Sequence, residues 1–404
     1  MNVTADMMPA HFDLTITPAL LRGTVTPPPS KSQSHRVLIA AALGTQVSRI
    51  GNLGHSEDID ATRRCMAALK TPGEELPELD CGESGSTLRF LIPVALALRG
   101  GGRFTGRGRL MQRPQEPYFA LFREKGISYE QKDDVLTVAG TLTAGDYTLR
   151  GDVSSQFITG LLYALPLLNG DSRILLTTDL ESRGYIDMTL DALKQFGIQV
   201  EYDGDRTFRI PGKQHYQSRD ITIEADWSNA AFWYAAVSLG CDLDIQGLNA
   251  YSAQGDMRIV PYFLKLQAKG RVELDVSQCP DLVPPLAAMA ALRSGETTAI
   301  VNAARLRIKE SDRLAAVTEV LSALGAQVEE FEDHLVIHGK ERLAGGVTVS
   351  GHNDHRIAMM AAVCAASAEA PVKLLGAECV RKSYPEFWTH FQSLGGELHG
   401  LILR

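Results

Sequence analysis

The sequence predicts an α/β fold of two lobes, each built from three βαβαββ-like repeats. Six times a short cluster of Ser, Gly, Asp or Asn runs directly into a helix-length stretch rich in Ala and Leu. Most of these stretches close on a Leu/Lys-rich segment, then a Gly, then β-type alternation. Counted from Gly73, the closing glycines stand at 73, 126, 197, 270, 325 and 395, with gaps of 53, 71, 73, 55 and 70. The order 53, 71 returns as 55, 70, which is the signature of a repeated unit.

Pro27-Pro28-Pro29 fixes an extended entry to the first helix and cannot continue it backwards. That helix begins within Ser30-Lys31-Ser32-Gln33-Ser34-His35-Arg36, and the spacing of Lys31 and Arg36 can bring both cations to one anion. Between Lys70 and Cys81 there is no room for a normal hairpin, so the first repeat is short. Gly82-Glu83-Ser84-Gly85-Ser86-Thr87-Leu88-Arg89 opens the next helix and resembles a backbone nest, whose glycines let N–H groups approach an oxyanion. Arg107, Arg109 and Arg113-Pro114 follow as a basic loop, and Lys125-Gly126 ends another helix.

Asp152-Val153-Ser154-Ser155-Gln156 offers two hydroxyls and an amide at a further helix start. Its repeat closes on Gly197, and Asp203-Gly204-Asp205 between two short strand patterns reads as a hairpin. No Pro/Ser-rich linker divides the lobes. The crossover falls near 223–226, with a second crossing near 21–24, giving a first lobe of 23–224 and a second of 1–22 plus 225–404. Asp226-Trp227-Ser228-Asn229, Lys309-Glu310-Ser311-Asp312-Arg313 and Asn353-Asp354-His355-Arg356 open the helices of the second lobe. A helix would place Lys309 and Arg313 on one face. Arg356 enters Ile357-Ala358-Met359-Met360-Ala361-Ala362, which is too apolar to be exposed.

Cations in the first turn of a helix oppose its dipole, so their recurrence implies an anion held between them. The chain carries a formal charge of −8, which argues against a nucleic-acid backbone as partner. An anion site must then be a local gathering of Lys and Arg. No apolar run reaches the roughly 18–20 residues of a membrane span. Residues 1–17 contain an interior Asp and no apolar core, so no signal peptide is expected. The six cysteines show no paired spacing, which fits reduced thiols and a cytoplasmic protein. His352 and His355 lack a third ligand nearby, so no metal is expected.

Taken in this order, the residues resemble one family, the 5-enolpyruvylshikimate-3-phosphate synthases. The resemblance runs from Pro28 to about Trp388 and rests on Ser-Lys-Ser-x-Ser-x-Arg at 30–36, Gly-Asp-x-Ser-Ser-Gln-Phe at 151–157, Lys-Glu-Ser-Asp-Arg at 309–313 and Asn-Asp-His-Arg at 353–356. It implies the two-lobed inside-out α/β barrel of the enolpyruvyl transferases, with the active site in the cleft between lobes. It also implies transfer of enolpyruvyl from phosphoenolpyruvate to the 5-hydroxyl of shikimate 3-phosphate with release of phosphate, by a monomer without metal or cofactor.

On the same resemblance, Lys31, Ser32, Arg36, Ser154, Ser155, Gln156, Ser182, Tyr185, Asp281 and Lys309 bind shikimate 3-phosphate. Lys31, Gly85, Arg113, Gln156, Arg313, Arg356 and Lys382 bind phosphoenolpyruvate. Asp281 takes the proton of the attacking hydroxyl, Glu310 exchanges one with the enol carbon, and Lys309 assists. Two positions depart from the family pattern: Glu83 and Arg305 each stand where an Asn often contacts substrate. The sister reaction on UDP-N-acetylglucosamine usually has a reactive Cys before its Arg-Pro pair, and the loop at 106–114 has none. A non-catalytic anion-binding relative would be expected to lose Asp281, Glu310 and Lys382, which are present.

Overall fold

A computed structural model describes residues 11–403. The chain forms two compact units: one runs to Pro28 and resumes at Ala225, and the other is Pro29–Glu224.

Within Pro29–Glu224, two four-stranded sheets share one topology. Glu78–Asp80 pairs parallel with Gly101–Thr105, which pairs antiparallel with Val135–Ala139, which closes a hairpin with Ser128–Lys132. Asp146–Leu149, Ser172–Leu176, Thr207–Ile210 and Glu201–Tyr202 repeat that order. The expected turn at Asp203–Asp205 closes the second hairpin, with Gly204 in the left-handed region at φ 88°. The remaining repeat has only Ile50–Gly51 beside Ile221–Thr222, flanked by helices Lys31–Leu43 and Glu57–Lys70. Its missing hairpin follows from the short stretch before Cys81.

The unit resuming at Ala225 is built the same way. Val272–Asp275, Thr297–Val301, Leu335–His338 and Gln327–Glu330 form one four-stranded sheet. In the last sheet Phe12–Thr17 takes the inner hairpin position, between Val372–Leu375 and Glu397–Leu403. Its third sheet is the pair Arg22–Val25 and Asp242–Ile245. This ladder carries residues 23–28 with the second lobe, so the boundary expected at 22/23 lies at 28/29. A second repeat therefore lacks its hairpin, because residues 266–271 lead straight from helix Ile259–Lys265 into Val272.

Within each unit helices fill the interior and sheets lie outside. All twelve residues of His355–Ala366 are buried, as are nine of the ten in Ser155–Ala164. Helices apolar on every side have no face to offer solvent. The strands instead alternate, as in Asp146–Leu149, with one face on the helices. Five of the six closing glycines (126, 197, 270, 325 and 395) have φ between 68° and 95°, the left-handed stop of a helix. Gly73 is different, because helix Glu57–Lys70 already ends at Thr71. All six cysteines are buried free thiols. No helix among the described residues is long and apolar enough to cross a membrane.

Helix Gly85–Arg99 contains Pro93, which has no N–H for the carbonyl of Arg89 one turn earlier. The Tyr118 hydroxyl donates to that carbonyl at 2.7 Å from a fully buried position. Gly160 lets helix Ser155–Ala164 approach the same point, since a Cβ there would lie 2.5 Å from the Arg89 oxygen. Tyr118→Phe strands this buried carbonyl and is expected to cost about 1–3 kcal/mol. Urea denaturation checks it, and an unchanged midpoint would mean another donor reaches the Arg89 carbonyl.

Candidate active site

In Pro29–Glu224 the predicted residues gather at helix starts. Ser30 caps helix Lys31–Leu43 by accepting from the Gln33 N–H. The Lys31 ammonium sits 2.8 Å from the Asp58 carboxylate. The buried Arg36 turns elsewhere: Nε donates to Thr189 Oγ1 at 2.9 Å, and the two Nη groups to the carbonyls of Ser32 (2.7 Å) and Tyr185 (2.9 Å). Its guanidinium lies 5.3 Å from the Phe90 ring centroid and 5.8 Å from that of Tyr185. Lys31 and Arg36 thus take separate partners, because 13 residues of helix start at Lys31 itself and send the two side chains apart.

The Gly85 turn is closed by Ser84, whose hydroxyl accepts from the Thr87 N–H at 3.2 Å. A Cβ on Gly85 would stand 2.6 Å from Arg113 Nη1, so the space beside this glycine belongs to the Arg113 guanidinium. Gln156 is held at both ends of its amide: Arg89 Nη1 donates to Oε1 at 2.8 Å, and Nε2 donates to Ser86 Oγ at 3.0 Å. Arg89 also donates to the Pro114 carbonyl at 3.0 Å and lies 4.8 Å from the Phe157 ring centroid. It ties Gln156 to the Arg113 loop, a role its place in the Gly82–Arg89 cluster does not reveal. Ser154 caps helix Ser155–Ala164, with Ser155 buried behind it, and the buried Ser182 precedes helix Arg183–Gln195, where Tyr185 stands. The Glu83 carboxylate lies against Gly108, where a Cβ would come within 2.6 Å of Oε2, so it faces the Arg107–Arg109 loop.

In the unit resuming at Ala225 the site centres on Arg313, 1% exposed. Its Nε donates to Asp354 Oδ2 at 2.7 Å, Nη1 to Asp281 Oδ1 at 2.8 Å and Nη2 to Glu310 Oε2 at 2.7 Å. Asp354 also caps helix His355–Ala366 through the Arg356 N–H and accepts from the Ser311 hydroxyl. Arg356 Nη2 reaches Asp281 Oδ2 at 3.0 Å, and Lys309 Nζ lies 3.6 Å from Oδ1. Lys382 donates to the Asn353 carbonyl at 2.6 Å. Lys309 and Arg313 do not share a helix face: the helix starts at Arg313, and Lys309 is extended. They converge on Asp281 from different backbone segments. Arg305 donates to the Ser277 carbonyl.

These charges set the proton affinities. Burial alone would raise the Asp281 pKa, but Arg356, then Lys309 and Arg313, outweigh it and hold Asp281 well below the usual carboxylate range. Asp256, buried in the Gly255–Arg258 turn, moves the other way. Burial and then the Asp281 charge push it up to about 6, with Arg356 and the Ser228 hydroxyl opposing. Cations already set around a carboxylate form an anion-exchange site: an entering carboxylate or phosphate finds its counter-charges in place.

The raised Asp256 makes stability depend on pH with a definite sign. Between about pH 4 and 6 the folded state keeps a proton that the unfolded state has released, so stability falls as pH rises through this window. Above it the penalty is constant, on the order of 2–3 kcal/mol. Asp256→Asn should therefore melt above the parent at pH 8, with the gain shrinking by pH 5. Equal gains at both values in scanning calorimetry would show an ordinary carboxylate.

A family model described as EPSP synthase (3-phosphoshikimate 1-carboxyvinyltransferase) matches residues 16–391. The 3-phosphoshikimate 1-carboxyvinyltransferase of Clostridium kluyveri is 47% identical, the match covering 95% of this chain and 98% of that protein. That of Clostridium beijerinckii is 44% identical with the same coverage. Among solved structures, an EPSP synthase from Acinetobacter baumannii superposes with a TM-score of 0.77 at 23% identity, covering 96% of this chain and 100% of that one. The enolpyruvyl transferase NikO from Streptomyces tendae gives 0.74 at 18% identity, covering 97% and 99%. These structural likenesses bear on the fold, and the sequence matches carry the assignment. The chain belongs to the EPSP synthase (3-phosphoshikimate 1-carboxyvinyltransferase) family.

Proposed function

We propose that this protein transfers the enolpyruvyl group of phosphoenolpyruvate to the 5-hydroxyl of shikimate 3-phosphate, releasing phosphate. The observation that carries the reading on the chain itself is the Asp281 cluster, a carboxylate within 2.8–3.6 Å of three cations. Between them the substrates bring two phosphates and two carboxylates. Their mutual repulsion must be neutralised before the hydroxyl can meet the enol carbon. Lys31, Ser32, Arg36, Ser154, Ser155, Gln156, Ser182, Tyr185, Asp281 and Lys309 receive shikimate 3-phosphate. Lys31, Gly85, Arg113, Gln156, Arg313, Arg356 and Lys382 receive phosphoenolpyruvate.

Asp281 is too weakly basic while three cations hold it. When phosphoenolpyruvate draws Arg313 and Arg356 to itself, Asp281 loses two partners and its proton affinity climbs toward what a general base needs. It then takes the 5-hydroxyl proton as the oxygen adds to the enol carbon. Glu310, released from Arg313 by the same exchange, takes up a proton from solvent and passes it to the methylene carbon as the C–O bond forms. It takes one back from the methyl group as the bond to phosphate breaks, while the Asp281 proton leaves with the phosphate. The protein acts on these two small molecules as a cytoplasmic monomer, the compartment resting on its free thiols and the monomer on the family resemblance alone.

A coupled assay should detect phosphate release from shikimate 3-phosphate plus phosphoenolpyruvate, and none with UDP-N-acetylglucosamine as acceptor. Asp281→Asn and Glu310→Gln should each lower kcat by roughly 10²–10⁴-fold, the scale of general acid–base catalysis. A variant turning over at the parental rate would remove its residue from the mechanism.

Gly85→Ala drives a methyl group into the Arg113 guanidinium. Overpacking of this kind costs about 1–3 kcal/mol, so the KM for phosphoenolpyruvate should rise roughly 5- to 150-fold. The KM for shikimate 3-phosphate should stay within about twofold of the parent, well inside the scatter of surface changes. An equal rise in both constants would show that Arg113 does not act on phosphoenolpyruvate.

A further inference from the structure

Among the serine-capped helices of Pro29–Glu224 are the three that start at Ser30, Ser56 and Ser84. A continuous buried chain of polar side chains joins them. The His35 Nδ1 lies 2.7 Å from Thr62 Oγ1, and Thr62 Oγ1 lies 2.7 Å from Thr87 Oγ1. Thr87 Oγ1 donates to Ser84 Oγ at 2.8 Å. No member is more than 1% exposed. The Asp58 carbonyl stands beside the chain, 3.4 Å from Thr87 Oγ1 and 3.5 Å from Thr62 Oγ1, too far to win a single hydroxyl proton from a partner at 2.7–2.8 Å, while the Asp58 carboxylate holds Lys31.

The chain has one consistent direction. Since Thr87 donates to Ser84, its oxygen is left to accept from Thr62, and Thr62 accepts from the His35 Nδ1–H. The other ring nitrogen, Nε2, is buried and has no hydrogen-bond partner. A bare acceptor costs less there than an orphaned N–H, which favours the same tautomer. Burial, and then the Lys31 and Arg36 charges, hold the His35 pKa well below the usual imidazole value, so the ring is neutral.

For stability alone such a chain is dispensable, because replacing both partners of a buried hydrogen bond by apolar groups of the same shape is close to neutral. What an apolar packing cannot do is fix one register, since it has no direction. The Ser84 hydroxyl, pinned by Thr87, is the cap that sets where helix Gly85–Arg99 starts, and hence where Gly85 and Ser86 stand. The His35 end belongs to the helix that carries Lys31, Ser32 and Arg36.

We infer that Thr62 and Thr87 are positioning residues, which hold the Gly85 turn in register with the Lys31 helix so that the two substrate groups these elements receive stand at reacting distance. The inference rests on the proposed reaction. Neither threonine touches a substrate in this account.

Thr62→Val keeps the shape and removes the hydroxyl, whereas Thr62→Ser keeps the hydroxyl and removes a methyl group. In the phosphate-release assay Thr62→Val should raise the KM for phosphoenolpyruvate about 5- to 30-fold, the scale of one buried hydrogen bond. The KM for shikimate 3-phosphate should change little, and Thr62→Ser should restore the parental value even though its melting temperature drops. If Thr62→Val does not fold, His35→Asn and His35→Leu test the same link, because the Asn amide can replace the ring donor and Leu cannot. Unchanged constants, equal rises in both, or no rescue by the hydroxyl-bearing variant would reduce the chain to packing. A parent protein that releases no phosphate from the two substrates would instead overturn the proposed reaction, and this inference with it.

Discussion

A guanidinium buried to 1% exposure must find its counter-charge where it stands, and Arg313 finds three. They come from separate places in the chain: Asp281 before one helix, Glu310 just ahead of Arg313 itself, and Asp354 at the cap of His355–Ala366. Because those carboxylates in turn hold Arg356, Lys309 and Ser311, one charge fixes the starts of several apolar helices. Folding itself therefore assembles this cluster of charges, which is what preorganised electrostatics requires.

The Pro29–Glu224 unit reaches a comparable order with mostly neutral groups. Gln156 is held by Arg89 and Ser86, and three helix starts are joined by hydroxyls, with Lys31 and Asp58 as the charged pair among them. The difference matters for sensitivity. A net neutral hydrogen bond contributes about 1 kcal/mol, whereas opening one side of a buried ion pair costs about 3–5 kcal/mol. Substitutions around Arg313 thus threaten the fold, while those around Thr62 adjust geometry.

The repeats were legible in the sequence because helix caps, closing glycines and the Asp203–Asp205 turn are local signals. So was the gathering of cations at helix starts. Pairings between distant segments were not. Nothing around Arg22–Val25 announces Asp242–Ile245 as its neighbour, which is why the lobe boundary shifted to 28/29. The expected place of Lys309 on the Arg313 helix was wrong, since the Asp312 cap starts that helix later. Asp58, Thr62 and Thr87 pass in the sequence for ordinary helix-start polar residues. Their meaning appears only when three helices bring them within hydrogen-bonding distance.

The strand Phe12–Thr17 has a bearing on how the chain folds as it is made. Leu14 pairs with Leu374, and Ile16 with Leu398, so the sheet they share has no inner strand partner until almost the whole chain exists. Pro29–Glu224 is contiguous and can fold while synthesis continues. The opening strand must meanwhile wait, with its edges unpaired, for residues more than three hundred positions downstream. Such distant closure slows folding far more than it weakens the result, because the entropy of a loop grows only with the logarithm of its length. During that wait the open edges of Phe12–Thr17 can pair with other chains, and a chaperone that shields this strand as it emerges would serve the protein better than one that acts after release.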